Sequence, residues 1–187
     1  LASLLMAAER LGKWGCSMHC VLVVLLPKAS GGLRPIGLLP LEVRVWSRVR
    51  RSVIDAWEAA TALPCLFGAK GMGAQRAAWM AAFEAEAATM GDQQYVQALL
   101  DLTKAFETVD HQALVKAAEE MHFDPVLLRL SLQAYRLRRA VGSDGIFAQS
   151  VVASRGIVAG SGFATSELRL LLLGVVREVL RRWGDAV

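Results

Sequence analysis

Apolar positions recur along this chain with changing period, and each period predicts an element. Residues 1–11 are rich in Ala and Leu at helical spacing, and Gly12 and Gly15 end the pattern. Residues 21–26 are a β-branched apolar run closed by Pro27, and residues 33–38 form a second extended segment after Ser30-Gly31-Gly32. The pair reads as a hairpin, with Lys28 and Arg34 flanking its turn. From Leu41 the period becomes helical: Val45, Val49, Val53 and Trp57 share one stripe, and Arg44, Arg48, Arg51 and Asp55 the opposite one. A glycine-rich connection leads into an Ala-rich helix over 74–89.

Residues 95–100 are a short, largely apolar run that begins with β-formers, the pattern of a buried strand, and it leads directly into Asp101. Two helices follow, over 110–121 and 124–139. Asp110 and Asp124 are placed to cap them, with Pro125 in the first turn of the second. Residues 147–154 read as a strand and 155–160 as a loop, before a strongly apolar helix over 162–183. The expected class is α+β, with helices packed on a small antiparallel sheet.

Composition narrows the partners. Hydrophobic residues make up 55% of the 187 positions, ample for a packed core. Charged residues interrupt every long apolar stretch, so no transmembrane segment and no membrane partner is expected, and no secretory leader is visible. Net charge is +4, and 16 of the 21 basic residues are Arg, whose planar fork suits phosphate. Cys16, Cys20 and Cys65 lack disulfide-framework spacing, which fits a reducing, intracellular setting, nuclear or cytoplasmic. Cys16, His19 and Cys20 lack the second ligand pair of a zinc site. The segment 68–75 fails both phosphate-loop patterns, because no Lys-Ser or Lys-Thr follows Gly73 and Arg76 replaces the third glycine of the dinucleotide fingerprint.

Asp101 carries the candidate chemistry, since a carboxylate at a strand end can reach a ligand while the backbone behind it stays rigid. Together with Lys104-Ala105-Phe106-Glu107-Thr108-Val109-Asp110-His111, it resembles motif A of reverse transcriptases, from which it departs at Glu107. Leu26-Pro27-Lys28-Ala29-Ser30-Gly31-Gly32-Leu33-Arg34-Pro35-Ile36 resembles the fingers hairpin of the same enzymes, in particular those of non-long-terminal-repeat retroelements and group II introns. Ser154-Arg155-Gly156-Ile157-Val158-Ala159-Gly160-Ser161 resembles their motif B, with Val158-Ala159 in place of Pro-Gln. The three occur in the family's order.

The resemblance implies right-hand polymerase fingers over 1–92 and a partial palm over 93–187, without the paired-aspartate motif C. It implies RNA-directed DNA synthesis in the complete enzyme, with an RNA template, a DNA primer and deoxynucleoside triphosphates as partners. Asp101 would bind the catalytic magnesium ions, or manganese in their place. Lys28, Arg34, Phe106 and Gly160 would meet the nucleotide, with Phe106 beneath its sugar and disfavouring an RNA-dependent RNA polymerase. Arg155, Gly156 and Ser161 would meet template and primer. The alternative is a non-catalytic nucleic-acid-binding remnant of a decayed retroelement, in which the basic surface outlives the chemistry.

Overall fold

The structure, a computed structural model, describes residues 1–68, 71–97, 102–143 and 145–184. Its elements are, in order, α1 (Ala2–Leu11), β1 (Cys20–Pro27), β2 (Leu33–Leu38), α2 (Leu41–Val49), α3 (Arg51–Ala60), α4 (Ala74–Met90), α5 (His111–Glu120) and α6 (Pro125–Tyr135). β3 (Arg138–Ser143), β4 (Ile146–Phe147), β5 (Val151–Val152) and α7 (Ala164–Trp183) follow. Among the described residues this is an α+β fold of seven helices and one small sheet.

The sheet is mixed, not antiparallel. Its order is β2-β1-β3-β4, with β5 also paired to β3. β1 runs antiparallel to β2, Leu22 opposite Leu38, and parallel to β3, Val21 opposite Arg139. The expected helix over 124–139 therefore ends early, at Tyr135, and Arg138 and Arg139 begin a strand. The cause is long-range. Val21 and Val23 of β1 point into the core, and β3 takes up the backbone donors and acceptors on the β1 edge that β2 leaves free. Strands from both sides of residue 92 thus share one sheet. The predicted 147–154 strand is realised only as the short β4 and β5.

The helix expected from Leu41 breaks at Arg50 into α2 and α3, and its buried stripe differs from the predicted one. Val49 and Val53 are exposed, while Val43, Trp46, Ser47, Ile54 and Glu58 are buried. Trp46 decides this. Its ring packs edge-on between Trp14 and Phe163, 5.3 Å from each, and its indole N–H donates to Glu9 Oε1 at 2.8 Å. Arg50 then closes on Glu9 through two bonds of 2.6 Å, fixing α1 to the α2–α3 junction. That contact holds the Glu9 carboxyl below its ordinary range.

Asp110 and Asp124 cap α5 and α6 as expected. Each accepts from the two backbone N–H groups of its helix's first turn, at 2.8 to 3.0 Å. Residues 95–97 are not in a strand, and the remainder of that predicted strand, with Asp101, lies outside the described residues. No described helix is long and apolar enough to cross a membrane.

Candidate functional site

The loop before α7 is built around two glycines. Gly156 has φ +91° and Gly160 φ +108°, in the region that side chains avoid. Space forbids a side chain at both positions as well. A Cβ at Gly156 would stand 2.9 Å from the Glu107 carbonyl oxygen, and one at Gly160 2.6 Å from that of Gly37.

Those close approaches are backbone seams. Gly156 N–H donates to Val109 O at 2.7 Å and Ile157 N–H to Phe106 O at 2.8 Å, so the turn is stitched to the segment before α5. On the other side Gly37 N–H of β2 donates to Ala159 O at 3.0 Å. Val158, buried, fills the space beside Gly37 where a Cβ would collide with it. His111 Nε2 donates to Gly156 O at 3.0 Å from a buried position, which places the proton on that nitrogen. The fingers-like hairpin, the motif-A-like segment and the motif-B-like turn, remote in sequence, meet at residues 156–161.

A buried polar chain supports the turn from below. The Tyr135 hydroxyl donates to Glu167 Oε2 at 2.5 Å and lies 2.8 Å from Ser161 Oγ. A phenol has one proton. With that proton on the carboxylate, the Ser161 hydroxyl is left to donate to the phenol oxygen, while Ser161 Oγ accepts from Phe163 N–H at 3.3 Å. Glu167 and Tyr135 are both fully buried, and Glu167 Oε1 has no partner among the described residues. Burial raises the Glu167 carboxyl from 4.5 to about 7, against the pull of the Tyr135 and Ser131 hydroxyls. Burial, and then the Glu167 charge, push Tyr135 well above its ordinary value. Neither residue was singled out from the sequence. The available signal was spacing: Glu167 lies four after Phe163 and three before Leu170, on the stripe that faces the core.

The other candidates divide in two groups. Phe106 is half-buried against the core, with its carbonyl on the turn. Gly160 and Ser161 lie on the turn itself, and Arg155 is exposed beside it. Lys28 and Arg34 are exposed at the hairpin tip, around a hollow of about 390 Å³ that Leu26, Pro27, Ala29 and Ser30 complete. Gly31 and Gly32, with φ +86° and +80°, make that tip sharp. A larger hollow of about 860 Å³ opens between α3, α5 and α6 and is lined by none of these residues.

Among the described residues, no three His, Cys, Asp or Glu side chains gather to hold a metal ion. Asp110, which follows the Val109 whose carbonyl meets the turn, is engaged by the α5 cap. No protein-family model matches the chain, and no curated protein sequence matches it.

Proposed function

We propose that this chain is the fingers and front palm of a reverse transcriptase of the non-long-terminal-repeat retroelement type, and that residues 156–161 are its meeting point with template and nucleotide. The observation that carries the reading is convergence. Three segments resembling three parts of one enzyme are separated by about 65 and 45 residues, yet they join at one turn through backbone bonds of 2.7 to 3.0 Å. The glycines let the turn's backbone pack against both other segments, which sets the exposed Arg155 and Gly160 beside them.

Two divalent ions would supply the activated primer hydroxyl and hold the triphosphate in such an enzyme. The described residues gather no ligand set for them, so their part in this reading is to bind and orient. Lys28 and Arg34 offer cations to phosphate at the hairpin tip, Arg155 offers another beside the turn, and Phe106 supports the turn from its carbonyl side. The second reading, a non-catalytic nucleic-acid-binding remnant, is favoured by Val158. Where the family has Pro-Gln, this chain has a buried valine against Gly37 and an alanine, and neither offers a side-chain hydrogen bond to a base.

The test is photo-crosslinking of a primer–template and, separately, of a photoreactive deoxynucleoside triphosphate, with the labelled peptides mapped. The polymerase reading expects triphosphate label on 26–36 and 155–161, competed by unlabelled triphosphates. Primer–template label on those peptides without triphosphate label supports the remnant. Label confined to other peptides, or affinity indifferent to salt, overturns both, since phosphate contacts by Arg and Lys release counterions.

A further inference from the structure

α4 is the one helix of the seven that buries none of its residues. Its large side chains lie open: Trp79 is 77% exposed, Phe83 67% and Met90 89%. Arg76, Trp79, Phe83, Glu86 and Met90 succeed one another at alternating steps of three and four, which puts all five on one narrow face. Arg76 and Glu86 make no ion pair among the described residues. Exposed apolar faces of this kind mark interaction surfaces.

The order along that face says what fits it. The stripe is a palindrome about position 81: Trp79 and Phe83 stand two positions either side, and Arg76 and Glu86 five. Laid antiparallel on a copy of itself and centred there, the helix sets Trp79 of each copy against Phe83 of the other and Arg76 of each against Glu86 of the other. One two-fold axis satisfies both aromatic contacts and both charge pairs, as an isologous interface requires. A parallel pair would instead set Arg76 against Arg76 and Glu86 against Glu86. We propose that α4 is a homodimerisation helix, and that two copies of this chain pair antiparallel through Arg76, Trp79, Phe83 and Glu86. The aromatic pairs supply the affinity at the centre, and the charges at the ends fix direction and register.

Sedimentation equilibrium of the whole chain tests this, with helix content and thermal melting measured beside it to show that each variant folds. The wild type is expected to be a dimer. Trp79→Glu is expected to raise the dissociation constant of the dimer by about 30-fold or more, the effect of losing a central aromatic anchor. Arg76→Glu and Glu86→Arg are each expected to weaken self-association by setting like charges opposite one another. Mixed in equal amounts, those two variants are expected to form a heterodimer of near wild-type affinity, because each repulsive pair becomes attractive. A monomeric wild type overturns the proposal, and one whose Trp79 is shielded from quencher shows α4 closing on its own body. A dimer that survives Trp79→Glu, or a mixture that fails to recover, overturns it equally.

Discussion

α7 and α4, the two longest helices among the described residues, invert the usual arrangement in opposite senses. α7, of 20 residues, turns Ser166, Glu167 and Arg169 into the interior. α4, of 17 residues, turns Trp79 and Phe83 outward. On α7 each of these three side chains finds a partner through at least one atom, though Glu167 Oε1 and Arg169 Nε find none among the described residues. Ser166 Oγ donates to Glu58 Oε1 at 2.5 Å, the Arg169 guanidinium donates to the Glu58 and Thr61 carbonyls at the end of α3, and Glu167 receives Tyr135. Arg169 also lies 5.9 Å over the Trp57 ring. Burial follows what packs against a helix more closely than what the helix is made of. A polar residue can be buried when partners meet it there, and an aromatic one stays outside when no neighbouring element covers it.

The contrast can be broken most severely in the core that α7 shares with α2. Trp46→Ala removes a ring lodged between Trp14 and Phe163 and leaves Glu9 without its indole donor. The expected loss is about 3–5 kcal/mol, read from the denaturation midpoint at unchanged slope.

Glu167→Gln comes next, and its effect depends on pH. The folded carboxyl titrates at about 7 against 4.5 ordinarily, so the fold binds this proton more tightly than the unfolded chain does. Its contribution is fully present below about pH 4.5 and is lost as pH rises through 7, a difference of roughly 3 kcal/mol. Glutamine keeps the acceptor for Tyr135 and cannot ionise. The variant should therefore match wild type at pH 4 and exceed it at pH 8, as measured by urea titration at both. Equal destabilisation at both would mean that the ionised carboxylate is well accommodated.

Smaller still, Asp124→Ala should cost about 1 kcal/mol, because two N–H groups at the start of α6 lose their acceptor. The least effect is expected at α4. Trp79→Glu should change the stability of the monomer by less than about 0.5 kcal/mol, measured at concentrations too dilute for pairing, since the ring buries little. A larger loss there would show that the side chain packs against its own body, and would erase the contrast with α7.

Local chemistry made much of the chain legible. The Gly31-Gly32 hairpin, both aspartate caps, the glycine turn and all but one of the helices, α3, which shares one reading with α2, follow from signals that act within a few residues. A cap needs only its own first turn, and a tight turn only its own glycines. The same range explains how the segments of the candidate site could be read one by one. Tertiary structure alone decided how they combine. β3 exists because the edge of β1, more than a hundred residues earlier, needs a partner. Trp46 overrules the Val45–Val49–Val53 stripe because Trp14, Phe163 and Glu9 surround it. Glu167 reads as one charge in an apolar helix until Tyr135 and Ser161 are brought to it, because burial and hydrogen bonding belong to neighbours in space, and the order of residues along a chain does not state who those neighbours are.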